Sequence, residues 1–339
     1  MKKNSFILIL LTLSLVSVFA NGQEESGKNS NKVDEKIVFK VAVNNPESHA
    51  MGQSWKKFGE LLESETDGRL ALDIYYGGQL GSKTVCLQGL QTGVIDMYMI
   101  TPSVLCDYGA EDLKIFSLPY IFSDLEHARA FTKSSEGVKL LDYIQTSGTR
   151  MVGLGYFQDL PRHYFFKDTK VTKVSDLAGL KIRSQSSSID LETMKAFGAS
   201  PVTVAFSELY SALQTGVVDG AEQPFTGFYS NQFQEVAEYM VLDGHQISPS
   251  IGLISEISWN KLSDDDRDII KKCFSEASTY WDGLIDEAEV ELDKAIRDAG
   301  VTVLEAENPE EWRAKVQPVY DMYGEQFKDT IAAISELEY

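Results

Sequence analysis

Three cysteines and four histidines in 339 residues leave little material for metal or thiol chemistry. Cys86, Cys106 and Cys273 are odd in number, widely spaced, and make no ligand cluster. They are expected as core thiols, with a Cys86–Cys106 bridge left open. His49, His127, His163 and His245 are isolated from one another. HExxH, CxxC, a phosphate-binding loop and a complete GxGxxG are all missing; Gly153 and Gly155 follow a strand-like segment without the third glycine. No cofactor, no metal and no enzymatic activity are therefore expected. Basic residues are also in deficit, 31 against 51 acidic ones, for a formal charge of -20. A surface this acidic argues against nucleic acid or anionic lipid as a partner. It also makes an arginine at a site informative, because an anionic ligand must be attracted locally against the general field.

The sequence has one long apolar run, Phe6 to Phe19, behind Lys2 and Lys3. Val18 and Ala20 occupy the positions that precede cleavage, so residues 1–20 are expected as an export signal cut after Ala20. Residues 21–36 are almost all polar, charged or small and read as a flexible linker. The folded part is expected from Ile37, and about 300 residues fit two lobes better than one.

Ile37–Val43 alternates as a strand, a helix is expected from about Met51 to Leu62, and Arg69–Tyr75 returns to a strand. After the turn Gly77–Gly81, Lys83–Thr92 reads as a helix ended by Gly93, and Val94–Thr101 is the next apolar segment. Strand, helix, strand in this order implies α/β layers around a largely parallel sheet. Leu90-Gln91-Thr92-Gly93-Val94-Ile95-Asp96 then recurs as Leu213-Gln214-Thr215-Gly216-Val217-Val218-Asp219, one position apart in identity. Two similarly built lobes explain the echo. The second would use Leu180–Arg183 and Pro201–Val204 as strands, Ile189–Phe197 as a helix, and Ser207 as the cap of a helix through Thr215. Ser263 with Asp266 starts a long helix whose apolar face includes Ile270, Phe274, Ala277, Trp281 and Ile285. Asn308, Pro309 and Glu311 start a final helix through about Phe327. These late helices are expected to brace the lobes.

Arg183 ends a strand and precedes Ser184-Gln185-Ser186-Ser187-Ser188, a common place for ligand contacts in α/β proteins. A guanidinium there grips a carboxylate by two parallel charge-assisted hydrogen bonds. Arg162 follows Pro161 in a segment leaving a strand. Glu222 and Gln223 follow the second glycine-ended helix, and Gln223 offers both donor and acceptor atoms. Tyr156 and Phe225 belong to the aromatic cluster around these polar positions, most of which is expected in the core or hinge.

Four stretches taken in order carry a family resemblance. They are Gly77–Gly81 with Leu90–Asp96; Asp112–Phe122, containing LPYIF; Asp176–Arg183, DLAGLKIR; and Gly198–Pro224, containing ELYSALQTGVVDGAEQP. The chain resembles the DctP-type solute-binding proteins of tripartite ATP-independent periplasmic (TRAP) transporters. The resemblance implies a two-lobed, type II-like periplasmic-binding-protein fold with mixed or parallel sheets flanked by helices and long helices bridging the lobes. It implies a periplasmic protein, expected as a monomer, that closes on a small organic anion and delivers it to a sodium-coupled membrane permease. The family's ligand-pairing arginine falls on Arg183, its second arginine on Arg162, and its amide on Gln223, where asparagine is commoner. The expected substrate-binding set is Arg183, Arg162, Gln223, Gln185, Glu222, Phe225, His49 and Tyr156.

The first lobe is expected to take 37–158 with about 252–339, and the second 159–251. The serine-rich segment after Arg183 looks closer to family members that bind hexuronates, since each buried sugar hydroxyl needs a partner. A C4-dicarboxylate ligand, or a sensor that signals to a membrane receptor, are the alternatives.

Overall fold

In the computed structural model, residues 36–185 and 187–339 are described; the expected export signal, nearly all of the linker, and Ser186 lie outside them. Residues 36–339 pack as one compact unit around two sheets. The first sheet takes β1 (Ile37–Ala42), β2 (Leu70–Tyr75), β3 (Met97–Ile100), β4 (Met151–Gln158) and β10 (Pro249–Ser255), in the order β2-β1-β3-β10-β4. β1 runs parallel to β2 and β3, while β10 enters antiparallel between β3 and β4. The second sheet takes β5 (Arg162–Phe166), β6 (Lys181–Ser184), β7 (Ser200–Thr203), β8 (Gly220–Gln223), β9 (Tyr239–Gln246) and β11 (Thr302–Glu305), in the order β11-β9-β5-β8-β6-β7. Here β6 is parallel to β7 and β8, and β5 is antiparallel to β8 and β9.

The chain passes between the sheets at two short segments, 159–161 and 247–248. They lie side by side, because Gln158 pairs with Pro249 in one sheet and Arg162 with Gln246 in the other. A third passage follows the long helix Asp264–Asp298: β11 joins the second sheet, parallel to β9 from Thr302↔Tyr239 to Glu305↔Leu242. That placement departs from the expected grouping of 252–339 with the first lobe.

The long helix runs unbroken for 35 residues behind both sheets. Its start is the expected cap, Ser263 Oγ accepting from the Asp266 N–H at 3.1 Å. Its buried stripe, Ile270, Phe274, Ala277, Trp281 and Ile285, follows the helical period. Phe274 meets Phe58 and Phe157 edge-on at 5.3 and 5.0 Å, and Trp281 Nε1 donates to the Gln158 carbonyl at 2.6 Å. The helix is thereby fastened beside the first passage between the sheets.

Two expectations about helices change. The stretch from Pro309 is three helices, Pro309–Lys315, Gln317–Tyr323 and Lys328–Ser335. Pro318 lacks an N–H and its ring collides with the carbonyl one turn back, so the first helix cannot continue through it. Ser207 is no cap either: it sits within a 3-10 turn, Phe206–Glu208, ahead of the helix Leu209–Thr215. All three cysteines are free and buried.

Candidate functional site

Where the parallel strands of the two sheets end, their loops face a common cleft, the usual ligand position in α/β proteins. Asn44 and Pro46 follow β1, Gly77 and Gly81 follow β2, Gln185 follows β6, and Val204 to Ser207 follow β7. The cleft holds about 960 Å³. A narrower recess of about 60 Å³ shares Asn44, Lys83, Gln185 and Phe206 with it and adds His49, Tyr98, Asp159, Arg162 and Gln223.

Arg183 is held at the end of β6, only 2% exposed. Its Nε donates to the Val204 carbonyl at 3.0 Å, while its buried Nη1 has no hydrogen-bond partner among the described residues. Burial, reinforced by the nearby Arg162 charge, pulls its guanidinium down to about 10. Arg162 opens β5 and is placed differently. Its Nε donates to Glu222 Oε2, and its Nη2 to the Glu222 carbonyl at 3.3 Å. Burial opposes the Arg162 charge, but Glu222 more than restores it. Glu222 is backed in turn by His245, whose Nε2 lies 3.9 Å away and whose Nδ1 meets Asp243 at 2.7 Å. Arg162 is thus paired with a carboxylate in direct contact, and Arg183, among the described residues, is not.

Lys83 begins the helix Lys83–Thr92 and reaches across the cleft to Gln185 Oε1 at 2.6 Å. Burial, then the charges of Arg183 and Arg162, bring its ammonium down to about 7. Phe206 lies beneath both free cations, its ring centre 5.2 Å from Lys83 Nζ and 5.8 Å from the Arg183 guanidinium. Asn44 is oriented by the Tyr98 hydroxyl at its Oδ1 and by its own donation to the Gly81 carbonyl at 3.1 Å. Asp159 accepts from the Leu160 N–H at 2.8 Å and the Thr226 hydroxyl at 2.9 Å, and burial raises its carboxyl to about 6.

Of the eight expected site residues, Arg183, Arg162, Gln223, Gln185 and His49 meet at the cleft and its recess. Room for the longer Gln223 amide depends on Gly227, where a Cβ would stand 2.7 Å from Gln223 Oε1. His49 also caps the helix Ala50–Glu65, its Nδ1 accepting from the Met51 N–H at 2.9 Å; burial lowers it to about 4, so it is a neutral acceptor. Glu222 stands behind Arg162 and does not line the cleft. Phe225 packs on His163 at 5.3 Å, away from the cleft lining. Tyr156 is in the core against Phe116 at 5.5 Å, with its hydroxyl on the Gly137 carbonyl at 2.8 Å. Sequence reasoning passed over Lys83, Asn44, Tyr98, Phe206 and Asp159. For Asn44 and Lys83 a signal existed: each follows a strand or a turn at the sheet edge where ligands collect.

Residues 41–326 match the family described as DctP, bacterial extracellular solute-binding protein, family 7. The C4-dicarboxylate-binding periplasmic protein DctP of Rhodobacter capsulatus is 33% identical over 308 residues, covering 88% of this chain and 90% of that one. Two solved structures of TRAP periplasmic solute-binding proteins, both with bound D-glucuronate, share the fold. That from Pseudomonas putida F1 has a TM-score of 0.87 at 27% identity, over 89% of this chain and 98% of its own. That from Citrobacter koseri has a TM-score of 0.86 at 31% identity, over 89% and 100%.

Proposed function

We propose, for a chain that belongs to the DctP family of bacterial extracellular solute-binding proteins, that the ligand is a hydroxylated sugar acid gripped through Arg183. As a TRAP periplasmic solute-binding protein it is a transport component and not an enzyme: it captures a small organic acid for delivery to the membrane permease. The finer reading rests on one observation above the rest. A guanidinium 2% exposed, with Nη1 unpartnered among the described residues, lines an open cleft. A ligand carboxylate supplies the missing acceptors and the missing charge. Asn44, Gln185, Gln223, Ser207 and Thr84 surround it with the donors and acceptors that hydroxyl groups require. The two glucuronate-bound relatives favour a hexuronate as the reference ligand. The two sheets act as lobes that close, as a monomer, about the passages 159–161 and 247–248. Export by residues 1–20 with cleavage after Ala20 completes the reading.

The Rhodobacter capsulatus relative favours a second reading, a C4-dicarboxylate. A thermal-shift panel on the ligand-stripped protein separates the two. A ligand at about 100 times its Kd adds roughly 2.7 kcal/mol to the folded state. D-glucuronate is expected to raise the melting midpoint; a response to succinate and to no sugar acid would replace the first reading by the second.

A further inference from the structure

Lys83 occupies an expensive position. It is the first residue of its helix, where free N–H groups already place positive partial charge. It is only partly exposed, and among the described residues its ammonium meets no carboxylate. Its one hydrogen-bond acceptor is the neutral Gln185 amide, on the other side of the cleft. The acids nearby are committed elsewhere: Glu222 to Arg162, Asp159 to Thr226 and the Leu160 N–H, Asp190 to Ser187. Arg183, with its unpartnered Nη1, shares the Phe206 ring with Lys83. Among the described residues, two cations with no carboxylate in contact therefore face one aromatic ring, where a single ligand carboxylate answers only one of them.

We propose that Lys83 determines specificity by receiving a second anionic group, so that the preferred ligand is a hydroxylated diacid of the aldarate kind. One carboxylate lies on Arg183 and the other on Lys83. The ammonium has three N–H donors, so it serves the ligand while keeping its bond to Gln185. The planar fork of Arg183 suits the two-point grip, and the compact charge of Lys83 suits a group approaching from the helix start. This inference rests on the reading that Arg183 holds a carboxylate, and it sharpens that reading from sugar acid to sugar diacid.

Calorimetric titration with D-glucuronate and D-glucarate tests it, because both are six-carbon hydroxylated acids and only the second carries two carboxylates. In the unaltered protein glucarate is expected to bind at least about tenfold more tightly, the value of one charge-assisted contact. Lys83→Met is expected to cut the preference for glucarate over glucuronate by about tenfold or more, with Lys83→Arg restoring part of it. Lys83→Gln, checked by its melting midpoint, replaces Lys83→Met if that variant does not fold. Equal affinity for the two acids, or an equal loss of both in Lys83→Met, overturns the proposal; the second result would make Lys83 a latch to Gln185 that ignores ligand charge. Failure of the underlying reading looks different. If succinate binds and both sugar acids fail, the hydroxyl preference is wrong, and the same variant assayed with succinate against butyrate still decides the role of Lys83. If no acid binds to a cooperatively melting protein, both inferences fall.

Discussion

At Leu90–Asp96 the chain ends a helix on Gly93 (φ 71°) and lays the Asp96 carboxylate on the Lys40 N–H at 2.8 Å. At Leu213–Asp219 it ends a helix on Gly216 (φ 73°) and lays the Asp219 carboxylate on the Lys181 N–H, again at 2.8 Å. The backbone repeats too, Asp96 N–H donating to the Lys40 carbonyl at 2.9 Å and Asp219 N–H to the Lys181 carbonyl at 2.8 Å. The opposite ends of these helices are unlike. One opens on Ser82 and Lys83, which face the cleft; the other opens after the turn Phe206–Glu208, with Phe206 facing it. The repeated segment registers a helix against a strand in each sheet, and ligand chemistry sits where the repeat stops. Substitutions at the cleft ends should alter binding, and substitutions in the repeat should alter stability.

The largest contrast is expected between the two arginines. Arg183→Ala should weaken binding at least about 100-fold while leaving the melting midpoint unchanged or raised, since a buried guanidinium with, among the described residues, an unpartnered Nη1 and no contacting carboxylate is removed. Arg162→Ala should cost about 3–5 kcal/mol of stability, because it strands Glu222 beside His245 without its cation. Titration together with urea melts checks both. A comparable loss of stability in Arg183→Ala would break the division between recognition and scaffold.

Next in size are the two repeat aspartates. Asp96 accepts from the Lys40 N–H and from the Ser258 hydroxyl, whereas Asp219 accepts from the Lys181 N–H at a more exposed site. Asp96→Ala is expected to cost about 1.5–3 kcal/mol and Asp219→Ala about 0.5–1.5. Neither should move ligand affinity by more than about threefold, which is under 1 kcal/mol. If either variant abolished binding while remaining folded, the repeat would be part of the site.

Much of the scaffold was legible because its signals are local. The Ser263 cap, the glycine ends at Gly93 and Gly216, and the buried stripe from Ile270 to Ile285 each lie within a few turns of sequence. Arg183 was legible as a charged residue ending a strand. What was not legible depends on distance. Lys83 becomes a site residue through Gln185, 102 positions away, and Phe206 by facing it across the cleft. Tyr156 shows the limit of alternation. Neighbours on β4 point to opposite faces, and pairing with β10 decides that Tyr156 goes to one core and Phe157 to the other. The break at Pro318 is visible in the sequence, yet the helix expected from Asn308, Pro309 and Glu311 runs through it to about Phe327.

A smaller effect, expected from Lys83, links the cleft end to stability through pH. Its folded value of about 7 lies below the ordinary 10.5, so between those values the unfolded chain holds the proton more tightly. Stability attributable to Lys83 therefore rises with pH through this window and is lowest below pH 7. Burial, Arg183 and Arg162 push its ammonium down, Glu222 and Asp190 oppose them, and Asp107 and Tyr108 also line the cleft. Lys83→Met should then be more stable than the unaltered ligand-free protein below pH 7, by roughly 1–2 kcal/mol given partial solvation. The difference should close toward pH 10. Paired melts across that range check it; a constant difference would mean the gain comes from methionine packing instead of charge.

The finest comparison sets the two repeat glycines against each other. Both hold a left-handed backbone, so alanine at either costs about 1 kcal/mol in strain. Their surroundings differ. A Cβ at position 93 would stand 3.2 Å from Ile257 Cγ2, a branched side chain packed against the helix end, whereas at position 216 the nearest atom is Lys167 Nζ at 3.6 Å. The lysine tip is in ordinary contact and the isoleucine must yield, so Gly93→Ala should exceed Gly216→Ala by a few tenths to about 1 kcal/mol. Urea melts of the two variants resolve that gap. Equal losses would mean that Ile257 yields and that backbone conformation alone governs both helix ends; a larger loss at Gly216 would place the stricter junction in the second sheet, against the order expected here.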